Sequence, residues 1–168
     1  TCHGILTCNF VYDQNILYLY YCGWQNLSEG MWHCDTGRAI VNSHEMTASP
    51  EFEGPIMGRR KDIPLWSVAT AVRKERTGNW VSWYNRGLSW QHDGSTWVAK
   101  YGIHYAHSIN GIDWTCEDEV VIPFKDDFEH SFGRPSVLKY KSKFFMWFAA
   151  RGATGDERYR IGLAVSNS

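Results

Sequence analysis

The sequence lacks an excess of basic charge, and this absence excludes one class of partner. Its 168 residues carry 17 Lys and Arg against 18 Asp and Glu, which gives a formal net charge of −1. A protein that binds nucleic acid usually concentrates basic charge on one face. We therefore expect no nucleic-acid partner.

Long apolar runs are also missing. The longest, such as residues 144–150, reach only seven residues. A helix that crosses a bilayer needs roughly 18 or more apolar residues in succession. The sequence therefore predicts neither a membrane span nor a membrane partner.

Paired cysteine motifs are absent as well. The five cysteines are an odd number, and no C-x-x-C pair occurs among them. They are Cys2, Cys8, Cys22, Cys34 and Cys116. A disulfide framework or a zinc site would require paired spacings, so we expect reduced thiols. Because the sequence also shows no secretory signal peptide, we expect a cytoplasmic protein.

Histidines are present, but their spacing does not suit a metal site. His104 and His107 are three residues apart on a predicted strand, so their side chains point to opposite faces of the sheet. We expect no metal and no cofactor.

Stretches that build helices are missing, whereas aromatic residues are abundant. Nine Trp, nine Tyr and eight Phe accompany 15 Gly. Aromatic and β-branched side chains favour strands, so this composition predicts an all-β protein. The rings have two interpretations: they stack on sugar rings, or they fill a core as large apolar side chains.

Three similar segments recur along the chain, and each consists of a short strand, a polar turn and a second strand. Aligning the second strands matches Leu19 with Ser82 and Met146, at spacings of 63 and 64 residues. Residues 101–108 align with residues 159–166 as a third strand.

A fourth strand follows in the second repeat. The Asn110-Gly111 pair has the chemistry of a tight turn, and Trp114 begins the next strand. The repeating unit is therefore predicted to be a four-stranded meander.

Four-stranded units repeated at this spacing predict the blades of a β-propeller. We expect one partial domain over residues 1–168 with about two and three-quarter blades, repeated at roughly 3–62, 63–127 and 128–168. A β-sandwich is the competing fold, since short strands with frequent turns suit it too. Because a propeller normally has at least four blades, we expect either a longer protein or a homo-oligomer whose copies cover the open blade edges.

The repeats resemble the blades of five-bladed propeller glycosidases, namely glycoside hydrolase family 43 and its relatives in families 32, 68 and 130. The motifs that carry the resemblance are the strand of residues 159–166, the Ser108-x-Asn110-Gly111-x-x-Trp114 turn, the Gly133-Arg134-Pro135-Ser136-Val137 strand entry and Met146-Trp147-Phe148. The resemblance implies an incomplete propeller of that type, with an active site on its central axis. It also implies carboxylates on the innermost strands of different blades. The first repeat departs from this pattern, because residues 4–9 contain no acid.

Two carboxylates are candidates for catalysis. Glu129 lies in the loop that enters the third inner strand and is the candidate general acid. Asp62 occupies the equivalent approach to the second repeat and is its candidate partner. The alternatives are an ordinary acid within the polar loop of residues 126–129 and a solvated charge beside residues 59–61.

Four further residues are candidates for substrate binding. Arg134 carries a planar fork that suits a sugar hydroxyl or a carboxylate, although an ion pair between blades is an equal alternative. His130 precedes it closely, and Trp66 and Trp24 lie near strand ends where an indole can stack on a sugar.

Two functions therefore remain open. One is a carbohydrate-active propeller that hydrolyses a glycosidic bond through Glu129 and Asp62 or an acid from another chain. The other is a non-catalytic module that binds sugar or assembles proteins. A carbohydrate ligand is the partner expected for the first function and for the sugar-binding form of the second.

Overall fold

The computed structural model describes residues 3–152 and 158–167, and eleven β-strands account for most of them. The strands are β1 (His3–Asp13), β2 (Ile16–Asn26), β3 (Trp32–Asn42), β4 (Thr47–Pro50), β5 (Ser67–Lys74), β6 (Trp80–His92), β7 (Trp97–Ser108), β8 (Thr115–Val120), β9 (Ser131–Tyr140), β10 (Lys143–Arg151) and β11 (Arg160–Ser166). The described residues contain no α-helix, and their one helical turn is a 3-10 turn at Ser28–Gly30. None of their helices has the length and apolarity needed to cross a membrane.

The strands form three antiparallel meanders. The first blade comprises β1 to β4, the second β5 to β8 and the third β9 to β11. Single parallel bridges join neighbouring blades, from Asp35 to Ser67 and from Tyr101 to Ser131. The all-β class and the partial propeller of two full blades and three strands of a third are thereby confirmed.

The register of the strands supports the alignment of the repeats. Leu19, Ser82 and Met146 each pair with an alanine on the third strand of their own blade. These alanines are Ala39, Ala106 and Ala164. The same position of the meander therefore recurs in all three blades.

The innermost strands β1, β5 and β9 are each bulged at an equivalent position. The pairing with the second strand skips Cys8 in the first blade and Thr70 in the second. In the third blade it shifts across Arg134 and Pro135. A bulge leaves a residue outside the hydrogen-bonded ladder and turns its side chain, so all three inner strands bend at the same level.

Apolar side chains from facing sheets fill the space between the blades. Tyr20, Trp80 and Tyr84 are buried between the first and second blades. Phe132 and Met146 are buried between the second and third. Face-to-face packing of twisted sheets is what sets propeller blades around a common axis.

The outward faces of the two terminal blades expose apolar side chains. In the first blade Phe10 is 55% exposed, and in the third blade Leu163 is 56% exposed. Each of these faces corresponds to one that a further blade would cover in a closed propeller.

Candidate functional site

A cavity of about 610 Å³ lies at the axial end where the three inner strands begin. The first halves of β1, β5 and β9 supply its floor, including the three bulge positions Cys8, Thr70 and Arg134. Side chains of the second and third strands supply the wall. Its size suits a small molecule, since ligand sites typically enclose about 300–1,000 Å³.

Aromatic rings form much of the wall. They are Trp24, Trp32, Trp66, Trp97, Tyr101 and Tyr159. Trp24 stacks on Trp32 with the ring centroids 4.3 Å apart, and Trp32 lies 4.4 Å from Trp66. Rings held in mutual contact lose little conformational freedom when a ligand packs on them.

Trp66 supports this wall from below. Its side chain is only 2% exposed, and it packs against Trp32 and Trp90. A Cβ added to Gly87 would lie 2.5 Å from the Trp66 ring, so the glycine lets the strand pass directly over the indole. Trp66 therefore lines the cavity as a buried support, whereas Trp24 is half-buried at the rim. Their role in substrate binding stays a prediction.

The long hairpin of β6 and β7 reaches across to the first blade and completes the rim. Trp97 lies near its tip and donates its indole N–H to a Glu29 carboxylate oxygen at 3.0 Å. Thr96 approaches the first blade at Gly30, where an added Cβ would lie 3.0 Å from its hydroxyl. One wall of the cavity is thus shared between two blades.

Buried polar groups tie the cavity floor together. Asn85 donates to the carbonyl of Phe132 at 3.3 Å, and its amide oxygen lies 3.0 Å from the Thr70 hydroxyl. Ser131 donates to the carbonyl of Ala99 at 2.9 Å. These bonds join the second and third blades and hold the inner strands in place.

Three thiols line the side of the cavity that belongs to the first blade. Burial and the nearby Cys22 raise the pKa of Cys8 to about 12, although the charge of Arg134 partly opposes this shift. A hydrogen bond between Cys22 and Cys34 raises the pKa of Cys34 and lowers that of Cys22. Cys8 is therefore a protonated thiol at neutral pH, not a nucleophile.

Arg134, the predicted substrate-binding arginine, lies at the bulge of β9. Its backbone φ is +49°, and its side chain is exposed and lines the cavity. His130 is buried just before β9, with its Nδ1 2.6 Å from the Ser131 hydroxyl. It therefore contacts a residue of the floor and does not itself line the cavity.

The predicted catalytic acids lie elsewhere. Glu129 accepts a hydrogen bond from the backbone N–H of Lys125 at 2.6 Å, which closes the loop before β9. Asp62 pairs with Arg60 at 2.9 Å, and both side chains are more than 40% exposed. The structure does not bring Glu129 and Asp62 together in the cavity, and their catalytic role stays a prediction.

Among the described residues that line the cavity, none is an Asp or a Glu. The described residues also contain no group of three His, Cys, Asp or Glu side chains placed to hold a metal ion. The part of the site that the structure describes can therefore bind a ligand through rings, hydroxyls and guanidinium groups. It does not supply the pair of carboxylates that glycoside hydrolysis needs.

Sequence reasoning missed Trp32, Trp97 and Tyr101 as residues of the cavity wall. Trp32 begins β3, and Trp97 lies beside the Asp93-Gly94 turn of the hairpin that reaches the first blade. The contacts that bring these rings into the cavity wall join different strands and blades, and no local signal in the sequence indicates them.

Comparison with known proteins finds relatives in sequence as well as in structure. No family model matches the chain. Uncharacterised proteins from two strains of Mycobacterium tuberculosis are 30% identical over 152 residues. The match covers 88% of this chain, which spans 47% of the length of those relatives.

Solved structures extend the comparison. A glycoside hydrolase superposes with a TM-score of 0.62 at 15% identity, over 89% of this chain and 41% of its own. The GH32 β-fructofuranosidase of Bombyx mori superposes with a TM-score of 0.66 at 13% identity, over 94% of this chain and 33% of its own. These likenesses show the fold: the chain is a partial propeller of the glycosidase type.

Proposed function

We propose that this chain forms the sugar-binding side of a carbohydrate-active propeller. The observation that carries the proposal is the cavity at the axial end of the inner strands, with its stacked Trp24 and Trp32. Indole faces pack on the apolar faces of sugar rings, while hydroxyls and guanidinium groups bind sugar hydroxyls. The glycosidase-like fold supports carbohydrate as the ligand class.

Hydrolysis of a glycosidic bond would be an extension of this proposal. The described part of the cavity has no carboxylate, so hydrolysis would require acids from further blades, from another chain or from a rearranged Glu129 and Asp62. The curated relatives are about twice as long as this chain, which leaves room for such blades in the complete protein. A non-catalytic binding module is the function that the described residues support best.

The predicted homo-oligomer and cytoplasmic location form part of this proposal. The exposed apolar faces of the first and third blades support pairing with a second copy, because such faces are costly to leave in water. The free thiols Cys8, Cys22, Cys34 and Cys116 support a reducing compartment.

Titration with a panel of oligosaccharides, followed by calorimetry, tests the sugar site. We expect at least one sugar to bind and Trp24→Ala to weaken it about tenfold, which corresponds to about 1.4 kcal/mol. Trp147→Ala is the matched control, since Trp147 is on the outward face of the third blade and 40% exposed. The proposal fails if no sugar in the panel binds, or if the two variants lose affinity equally. Cleavage of the same sugars as aryl glycosides by the wild type, abolished in Glu129→Gln, would instead identify a hydrolase.

A further inference from the structure

Arg134 stands at the point of the cavity where the three inner strands bend. The equivalent bulge positions carry a thiol in Cys8 and a hydroxyl in Thr70. Arg134 is therefore the charged member of this ring of three positions. Its guanidinium extends from the innermost strand, the element nearest the propeller axis.

The backbone at Arg134 adopts a conformation that arginine avoids. A φ of +49° places it in the left-handed region, which is unfavourable for a non-glycine residue. The neighbouring Pro135 is buried and keeps the strand in this path. The fold thus holds the arginine in a strained position within a ligand-sized cavity.

The charged side chains that line the cavity in the described part of the chain are both basic, while the Glu29 carboxylate lies behind Trp97 at the rim. Arg134 and Arg151 both line it, and no described lining residue is acidic. Arg151 is engaged, with its guanidinium 5.1 Å from the centre of the Tyr159 ring. Arg134 forms no ion pair within residues 3–152 and 158–167, which leaves the alternative of an ion pair between blades without support there.

The uncharged polar groups beside Arg134 already have partners. Asn85 and Ser131 bond to backbone carbonyls of neighbouring strands, and Thr70 bonds to Asn85. Among the described polar side chains of the floor, the guanidinium of Arg134 is thus the charged donor, beside the exposed hydroxyl of Thr7. It presents a planar fork that matches a carboxylate or a phosphate in two parallel hydrogen bonds.

We propose that the cavity binds an acidic sugar, whose anionic group pairs with the guanidinium of Arg134 while its ring packs on the indoles. The inference rests on the proposed sugar-binding function and names its ligand class. A uronic acid and a sugar phosphate both provide the required chemistry. A neutral sugar offers hydroxyls alone, which form weaker bonds to a guanidinium than an anion does.

Calorimetric titration of the complete protein with three matched ligands tests the inference. The ligands are a glucuronic-acid-terminated oligosaccharide, the same oligosaccharide ending in glucose, and glucose 6-phosphate. We expect an acidic ligand to bind about ten to a hundred times more tightly than the neutral one. The difference should shrink as salt is raised, because a half-exposed charge pair is screened. Preference for the glucuronide or for the phosphate identifies the source of the anion.

Variants of Arg134 separate charge from structure. Arg134→Met should remove the preference for the acidic ligand, whereas Arg134→Lys should keep part of it. Lys139→Met is the matched control, since it removes one positive charge about 16 Å further along β9. Arg134→Gly relieves the left-handed backbone and should also lose the preference, although it stabilises the fold.

The outcomes distinguish the two proposals. Equal binding of neutral and acidic ligands by the wild type overturns the acidic-sugar inference and leaves the sugar site standing. An unchanged preference in Arg134→Met overturns it as well. Failure of all three ligands and of the wider panel overturns the sugar site itself, and the inference with it.

Discussion

The two interfaces between neighbouring blades share the same strand pairing, but the first is more closely packed than the second. Trp80 and Phe144 occupy equivalent places on β6 and β10, since each pairs with a lysine on the inner strand and a serine on the third strand. Trp80 is 3% exposed and packs against Tyr18 and Tyr20 of the first blade. Phe144 is only half-buried and borders a gap.

That gap is a second cavity of about 620 Å³ between the second and third blades, at the end away from the candidate site. Trp83 and Tyr105 line one side of it, and Val137 and Phe144 line the other. Hydrogen bonds from Asn85 and Ser131 join the same two blades at the candidate-site end. The second interface is therefore a wedge that opens away from the site.

The first interface has in addition a charged contact across its edge. Arg38 is buried, pairs with Glu51, and donates to the carbonyl of Asn110 in the second blade at 3.2 Å. Tyr20 donates to the carbonyl of Gly111 at 2.9 Å in the same turn. The comparison teaches that the shared strand framework positions the blades, while a few residues at equivalent places determine how tightly they close.

The largest difference in the free energy of unfolding is expected between alanine variants of the two equivalent rings, Trp80 and Phe144. Trp80→Ala should lower the free energy of unfolding by about 3 to 5 kcal/mol, because it leaves a large hole in a closed interface. Phe144→Ala should cost about 1 to 2 kcal/mol, because part of that ring already contacts water. Urea unfolding of both variants measures the two values. Equal losses would contradict the view that only the first interface is closed.

A smaller loss of stability is expected when the buried ion pair between Arg38 and Glu51 is broken. Arg38→Met should destabilise the protein by about 3 kcal/mol, because it leaves the Glu51 carboxylate without its partner in a poorly solvated place. The double variant Arg38→Met, Glu51→Leu should recover most of that loss. Arg60→Met is the matched control: its partner Asp62 is exposed, so less than about 1 kcal/mol is expected. A double variant no more stable than Arg38→Met would show that the pair itself is not responsible.

The smallest expected effect is a pH dependence of the free energy of unfolding, which arises from His104 in the second blade. His104 is buried behind Tyr84, with the ring centroids 5.7 Å apart, and burial together with the charge of Arg86 lowers its pKa below the usual 6.5. Glu117 and Asp118 oppose the shift without cancelling it. The unfolded chain therefore binds a proton more readily than the folded protein does. His104 contributes stability above about pH 6.5, and this contribution is lost as the pH falls towards the folded pKa.

Unfolding measurements between pH 8 and pH 5 check this sign. The wild type should lose more stability than His104→Gln over that range, by less than about 1.4 kcal/mol for each pH unit. His44→Gln, at an exposed position, should follow the wild type. A wild type and a His104→Gln variant with parallel curves would contradict the assignment.

The fold could be predicted from the sequence because the patterns that indicate it are local and recur along the chain. Strand pairs with polar turns recur at a nearly constant spacing, and the alignment of Leu19, Ser82 and Met146 holds in the register of the sheets. Positive φ angles at Gln14, Asn15 and Gly111 match the turn chemistry of those residues.

The residues of the candidate site could be predicted only in part. Arg134 lines the cavity from the entry of β9, whereas Trp66 lines it from just before β5 and Trp24 from the end of β2. The other rings of the wall were missed because they join it through contacts between blades, such as the hairpin tip of β6 and β7 against Glu29. Carboxylate type and loop position alone selected Glu129 and Asp62, and neither property reports which side of a loop faces the axis.

The bulges at Cys8, Thr70 and Arg134 have a consequence for redesign. A bulged residue does not share the ladder with its neighbours, so replacing its side chain leaves the backbone pairing of the blade intact, although at Thr70 it removes the hydrogen bond to Asn85. Each blade thus presents one such position to the cavity. An engineer who wished to install acid chemistry in this scaffold would begin by placing carboxylates at Cys8 and Thr70, opposite the arginine already in place.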